Sequence, residues 1–441
     1  MPAVAAVRAT PGVAGFFFDD QAAVRGGAPS DGFAYGGEPA TPGYERVREP
    51  GEALLVEVEL ADGRRARGDC AAVQYSGAGS RDPLFRAREH RAVVEGAVAD
   101  AVVGREAGDL GATVAALERV ADDRDLHTAV RYGVSQALVT AAARARETTT
   151  TRALAARLGV TPATEPVPVF GQSGDERYRG AEKMLLKGVS VLPHGLFNSR
   201  EKWGEDGRGV TEYVEWLVDR VADLGPEEYD PRIHLDVYGM VGDLWGPPYD
   251  RAAVVDYFRE LCEVAGPYPI QIEGPMDAGG RAEQIRAMAE LRDGLADAGV
   301  EVDVVADEWC DTRADVRAFV GAEAADVVQV KTPDLGPVTE SAGAVLDCRG
   351  TDTRAYLGGT CNETATSART CAHVALATDA AQVLAKPGMG FDEGYMVVTN
   401  EMRRALARHR REPEPEPESE SESANGDRPN LGATSPDGTH D

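Results

Sequence analysis

From about residue 166 to residue 410 the chain repeats one unit, a short apolar run followed by a helical stretch. The runs are VPVFGQS, MLLKGVSVLPHG, RIHLDVYG, YPIQIEGP, VDVVADEW, DVVQVKTP, AYLGGTCNE and AQVLAKPGMG. Amphipathic helices sit between most of them. In GVTEYVEWLVDRVADLG, residues Val210, Val214, Leu217, Val218, Val221 and Leu224 share one stripe. RAAVVDYFRELCEVAG and RAEQIRAMAELRDGLADAG follow the same period. Strand, helix, strand in repetition requires parallel strands joined by right-handed crossovers. Eight units in roughly 240 residues predict an α/β fold, a (β/α)8 TIM-type barrel. An open doubly wound sheet is the alternative, but no G-x-G-x-x-G follows the first strand to mark a dinucleotide site.

The rest of the chain reads differently. Residues 1–165 predict an α+β cap domain. EALLVEVEL and ADGRRARGD form a strand and a hairpin return. The helical stretches VVEGAVADAVVG, GATVAALERVADD and LHTAVRYGVSQALVTAAARAR come after. Between them AAVQYSGAGSRDPLF (71–85), rich in Gly and Ser, reads either as a connector or as a mobile lid carrying Gln74 and Tyr75. Residues 166–410 are the barrel. Residues 411–441, with Glu alternating with Pro or Ser, have too few apolar side chains to offset ordering entropy and predict a disordered acidic tail.

Charge narrows the function classes. The net charge of −28 argues against nucleic acid or anionic lipid as a partner held by bulk attraction. An acidic, arginine-rich, lysine-poor surface fits a high-salt cytoplasm, where screening shortens self-repulsion; an acidic protein of ordinary salt is the other reading. No run of about 18 apolar residues predicts a membrane span. The N-terminus lacks the layout of a secretory signal, which predicts a cytoplasmic protein. Six scattered cysteines without a C-x-x-C pair predict free thiols.

Of 46 basic residues only five are lysine: Lys183, Lys187, Lys202, Lys331 and Lys386. Lys331 ends the apolar run VVQV. It reads either as a strand-end lysine reaching solvent or as a base, since a lysine can give up its proton and an arginine cannot. The other strands also end on polar residues: Gln172, His194, Asp236, Glu273, Asp307 and the Thr360–Cys361 pair. In a parallel barrel these ends share one rim, which holds the active site. A single strand-end carboxylate can be a helix cap. Three on consecutive strands, Asp236, Glu273 and Asp307, would repel and raise one another's pKa unless a divalent cation lay between them. All-oxygen ligation predicts Mg2+ or Mn2+. Lys331, on the next strand, would then have its pKa lowered by that cation and by burial, as suits a general base. His194, across the mouth, reads either as the partner acid–base group or as a turn histidine bonded to backbone. Together these predict proton abstraction beside a carboxylate, with the metal stabilising the enediolate.

The motifs resemble those of the enolase superfamily. Much more closely, GDCAAVQYSGAGSRDPLF, QSGDERY, VLPHG, HLDVYG, IEGPMD, VADEWC, QVKTPDLG, GGTCNET and LAKPGMGFDEG resemble the methylaspartate ammonia-lyase family, over about residues 8–405. The resemblance implies reversible loss of ammonia from threo-3-methylaspartate to give mesaconate. It implies Mg2+, with Mn2+ as a possible substitute, a monovalent cation such as K+, and a homodimer. It assigns the metal to Asp236, Glu273 and Asp307, and the C3 proton of the (2S,3S) substrate to Lys331. His194 would serve the other C3 epimer. Gln172, Gln329, Thr360 and Cys361 would bind the substrate's carboxylates and ammonium, and Gln74 would close over it. Leu384 reads either as an apolar wall for the methyl group or as plain barrel packing.

Several absences shape the alternatives. The chain has no Ala-Ser-Gly triplet of the aromatic ammonia-lyases and no serine-rich loop of the aspartase type. The lysine-x-lysine pattern of racemase branches is also missing. Another enolase-type lyase or dehydratase would share metal and base but would need a more polar pocket. A non-catalytic barrel that only binds a small acid would show no metal dependence.

Overall fold

The computed structural model describes residues 1–77, 81–174, 176–246 and 248–412. Most of the predicted tail, and the Ala78–Ser80 part of the glycine-rich stretch, lie outside the described residues. The first layer is a three-stranded antiparallel sheet of β1 (Val4–Asp19), β4 (Arg48–Leu60) and β5 (Arg65–Ala71), in the order β1-β4-β5. A small ribbon, β2 (Ser30–Asp31) with β3 (Ala34–Tyr35), branches from the β1–β4 connection. The EALLVEVEL strand and its hairpin return form as expected, turning at Asp62–Gly63. The sequence reading did not anticipate β1. Its partner β4 alternates buried and more exposed residues over most of its length, whereas β1 carries a proline, two glycines and irregular register near Val13–Phe17.

The helix Thr128–Ala145 lies against this sheet. A Cβ at Gly133 would strike the backbone of Cys70, so glycine is what allows helix and strand to approach this closely. The helix is almost entirely buried because its other side meets the barrel: Ser135 Oγ accepts from the Val338 amide at 2.9 Å.

All eight expected strands form and close. They are β6 (Val169–Phe170), β7 (Val191–Leu196), β8 (Arg232–Asp236), β9 (Ile270–Glu273), β10 (Val302–Ala306), β11 (Val327–Val330), β12 (Arg354–Leu357) and β13 (Gln382–Leu384). Every pairing is parallel and the ring closes through β13–β6 and β9–β10, so the open sheet is ruled out. Alternation along each strand sorts the side chains. Ile233, Leu235, Ile270 and Ile272 join the large core, while Phe170, Val191, Val305, Val327, Tyr356 and Leu384 form a separate inner cluster. The helix Arg208–Leu224 buries Val210, Tyr213, Val214, Leu217 and Val221, most of the stripe read from its sequence.

The cap rests on the carboxyl rim of the barrel. Asn362 Nδ2 donates to Phe17 O at 3.0 Å, and Arg81 pairs with Asp334 at 2.9 Å. That contact places the end of β1 and the glycine-rich connection over the strand ends. All six cysteines are free thiols, as expected. Among the described residues no helix is long and apolar enough to cross a membrane.

Candidate active site at the carboxyl rim of the barrel

Five ionisable side chains stand in a row on five neighbouring strands. His194 lies in β7, Asp236 ends β8, Glu273 ends β9, Asp307 follows β10 and Lys331 follows β11. All five line one cavity of about 160 Å³, together with Gln172, Gln329, Thr360, Cys361, Leu384 and, from the cap, Gln74. Every site residue expected from the sequence is therefore at this one place. Lys331 has only 13% of its side chain exposed, so it is not a solvated strand end. A larger hollow of about 650 Å³ lies around Arg232, Arg292, Asp303 and Asp326. Its charges already satisfy each other, with Arg232–Asp303 at 2.7 Å and Arg292–Asp326 at 2.6 Å.

The three carboxylates oppose one another. Burial, then the charges of Glu273 and Asp307, push the Asp236 carboxyl well above the usual range. Burial and the Glu273 charge push Asp307 up to about 7, against the pull of Lys331. Glu273 goes the other way. Burial would raise it, but the His234 hydrogen bond and neighbouring positive groups outweigh that and hold it low. Ligand atoms of His194, Asp236 and Glu273 lie within 4.8 Å of one another, an arrangement that can hold a metal. Asp307 stands a step aside, its Oδ1 2.7 Å from Lys331 Nζ. The donor set fits a hard divalent ion: mutually repelling carboxylate oxygens of the buried Asp236 and Glu273 and the mostly buried Asp307, with one positive neighbour among them.

The expected lowering of the Lys331 pKa assumed a bound cation, and the protein groups alone act in the other direction. Burial alone would lower its pKa, but the Asp307 carboxylate beside it outweighs burial, and the ammonium is held above the ordinary lysine value. The sequence reading placed only a cation's charge next to the amine; the structure adds an anion in contact with it. His194 behaves as a buried imidazole. Desolvation lowers it to about 4, with Glu273 opposing and His234 assisting, so the ring is neutral near pH 7. Its Nε2 is 3.5 Å from Asp236 Oδ2, and its Nδ1 is buried without a hydrogen-bond partner among the described residues. The backbone-bonded turn histidine is thus not what forms.

The remaining residues are held by their surroundings. Gln329 Nε2 donates to Glu273 Oε1 at 2.7 Å and also meets the Tyr356 hydroxyl, while its Oε1 is buried without a partner. Gln172 Nε2 donates to the carbonyls of Ala385 (3.2 Å) and Gly388 (3.0 Å), which fixes its amide plane. Burial pushes the Cys361 thiol up to about 12, so it remains S–H and points a weak donor at Gln74 Oε1, 3.5 Å away. Gln74 Nε2 in turn donates to Asp19 Oδ2 at 2.6 Å, and Asp19 is gripped by Arg48 Nε and Nη2 at 2.6 and 2.7 Å. Leu384 belongs to the inner cluster and lines the cavity, so packing and wall are the same role here.

Sequence reasoning missed the supports. His234 bridges Gln271 Oε1 (2.9 Å) and Glu273 Oε2 (2.6 Å) and stacks on Phe170. The Tyr356 hydroxyl donates to Glu273 at 3.0 Å. A signal existed: the strand period of two puts His234 beneath Asp236, Gln271 beneath Glu273 and Gln329 beneath Lys331. Asp19, Arg48 and Arg81 had no such signal, because they come from the cap and reach the site only through docking.

The sequence pattern described as methylaspartate ammonia-lyase N-terminus matches residues 3–159, and the one described as its C-terminus matches residues 161–411. A methylaspartate ammonia-lyase of Haloarcula marismortui is 69% identical over 406 residues, 91% of this chain and 96% of that protein. The structure of the Citrobacter amalonaticus enzyme containing (2S,3S)-3-methylaspartic acid superimposes with a TM-score of 0.90 at 44% identity, covering 92% of this chain and all of that one. The magnesium complex of Clostridium tetanomorphum β-methylaspartase gives 0.87 at 45% identity, covering 93% of this chain and all of the other. At 17% identity, muconate cycloisomerase of Pseudomonas fluorescens shares the fold, with a TM-score of 0.55 over 85% of this chain.

Proposed function

This chain belongs to the methylaspartate ammonia-lyase family, and from that premise we propose how it works as a carbon–nitrogen lyase. It eliminates ammonia reversibly from threo-3-methylaspartate to give mesaconate. The observation that carries the reading is the unbroken row His194, Asp236, Glu273, Asp307 and Lys331 on one cavity wall, facing amide, hydroxyl and thiol groups.

Asp236, Glu273 and Asp307 are the residues that hold magnesium, the metal of the Clostridium complex. When bound there, it supplies a Lewis acid that stabilises negative charge on the substrate carboxylate beside C3. Lys331, whose ammonium Asp307 would no longer hold once a cation shares that carboxylate, takes the C3 proton of the (2S,3S) substrate, and His194, at the other end of the row, serves the opposite C3 epimer. The electron pair left at C3 forms the C2–C3 double bond as the C2–N bond breaks and ammonia leaves with its own pair. Gln329, whose Oε1 has no other partner, accepts from the substrate ammonium. Gln172, whose Nε2 is taken up by two backbone carbonyls, offers Oε1 to the substrate ammonium, Thr360 and Cys361 bind carboxylate, and Gln74 covers the substrate from the cap. Leu384 meets the methyl group.

Manganese substitutes for magnesium, and potassium assists as a monovalent cation. The working unit is a homodimer in the cytoplasm of a cell with high internal salt, as the acidic surface suits. A cap of residues 1–165 and a barrel of 166–410 divide the chain, ahead of the acidic Glu- and Pro-rich segment 411–441.

The test is turnover in high KCl, followed by ultraviolet absorbance of the conjugated diacid. Product forms with magnesium and stops with excess EDTA. Folded, magnesium-loaded protein that makes no mesaconate would overturn the reading.

A further inference from the structure

A second buried charge cluster lies behind the site, and nothing in the mechanism uses it. Lys386, two residues past β13, is fully buried, as is Glu363. Lys386 Nζ lies 2.7 Å from Glu363 Oε1 and 3.3 Å from Thr332 Oγ1, and donates also to the Gly358 carbonyl. Thr332 Oγ1 donates to Glu363 Oε1 at 2.8 Å, and the Tyr132 hydroxyl, from the cap helix Thr128–Ala145, donates to Glu363 Oε2 at 2.7 Å. Gly359 rests directly on the pair: its φ is +133°, and a Cβ there would strike Glu363 Oε1 and Lys386 Nζ.

The cluster therefore pins three segments, each of which presents a substrate-facing residue. Thr332 follows Lys331. Gly358, Gly359 and Glu363 bracket Thr360 and Cys361. Lys386 follows Ala385, whose carbonyl receives Gln172 Nε2. None of its hydrogen bonds reaches Asp236, Glu273 or Asp307.

We propose that the Lys386–Glu363 pair is a positioning device for the substrate half of the cavity, setting the placement of Lys331, Thr360–Cys361 and Gln172 independently of the metal half. A buried ion pair adds little net stability over apolar residues of the same size, so its use here is geometric. The proposal rests on the lyase reading, and wild-type turnover tests that reading separately in the same assay.

The experiment compares full-length wild type with the charge-free double variant Lys386→Met/Glu363→Gln. The readouts are KM for 3-methylaspartate, kcat, the magnesium concentration giving half-maximal activity, and melting temperature. Loosened placement of the substrate half is expected to lower kcat/KM by about 10²-fold, with KM raised and half-activating magnesium unchanged. A lower melting temperature with KM and kcat as in wild type would overturn the proposal, and so would a parallel loss of magnesium affinity. Should the double variant not fold, Thr332→Val keeps both charges and removes only the hydroxyl between them. Its expected effect is a KM raised about fivefold, the loss of one ordinary hydrogen bond. A Thr332→Val enzyme with wild-type KM would equally overturn the proposal.

Discussion

The barrel mouth holds two buried clusters of charge that are built in opposite ways. In one, Asp236, Glu273 and Asp307 face one another with Lys331 touching only the last of them. In the other, Glu363 faces Lys386 and two hydroxyls, and Lys386 also donates to a backbone carbonyl, so that acceptors and donors are matched. The first lines a cavity and the second is sealed from water, but the larger difference lies in charge balance. A carboxylate cluster short of positive charge is costly unless a cation joins it, which makes it a site. A balanced pair needs nothing further, which makes it a fixture. The same chemistry, acid and amine at the ends of parallel strands, serves binding in the first case and placement in the second.

Taking the metal away from the first cluster tests that contrast most severely. Excess EDTA, or Asp236→Asn, is expected to reduce turnover by several orders of magnitude, since the metal contributes several kcal/mol of charge stabilisation. Turnover that persists in EDTA would erase the distinction between the two clusters. Next in size is the base. Lys331→Ala should lower kcat on the (2S,3S) substrate by roughly 10² to 10⁴-fold, while His194→Ala falls mainly on the other C3 epimer. Equal losses on both epimers in both variants would remove the assignment of one base to each end of the row.

A smaller effect is expected from the support beneath the carboxylates. His234 is the hydrogen-bonding partner of Glu273, so His234→Phe should weaken magnesium binding by about 10 to 100-fold with the barrel intact. The charge-free Lys386→Met/Glu363→Gln protein should leave magnesium binding alone, and the pair of variants together sharpens the comparison. If magnesium titrations of the two coincide, the clusters are not independent.

The mildest prediction concerns a partly buried imidazole of the cap, crowded by the like charge of a second histidine. Burial, aided by His127 and opposed by Asp82, lowers His90 in the cap to about 4. The unfolded chain takes up this proton first, near about 6.5. Its contribution to stability is therefore complete above about 6.5 and is lost as pH falls toward about 4. The melting temperature should drop by a few degrees across that window, and less steeply in His90→Phe, which keeps the stacking on Phe85. An unchanged slope in the variant would assign the acid sensitivity to the other lowered imidazoles, His127, His194 and His409.

Much of this was readable from the chain because it depends on local period. Alternating apolar runs and amphipathic stripes require parallel strands, and parallel strands put their ends on one rim. Asp236, Glu273, Asp307 and Lys331 could be placed together without coordinates for that reason. His234 and Gln271 were within reach of the same argument, one pleat further down each strand. Lys386 was visible as a rare lysine, yet its sequence setting, LAKPGMG, does not say that a carboxylate 23 residues away would meet it. The irregular strand β1 was hidden by its proline and glycine, though its end supplies Asp19 to the site.

By itself, then, the sequence determined the barrel, the chemistry of its rim and the order of the five ionisable groups around it. These follow from period and strand direction, which are properties of neighbours in the chain. Tertiary structure decided which charges touch. Asp307 contacts Lys331 and opposes the expected lowering of its pKa, Arg48 grips Asp19 above the cavity, and Lys386 finds Glu363 under Gly359. Such contacts depend on distances of a few ångströms between segments far apart in the chain, and electrostatic energy changes steeply over that range once water is excluded.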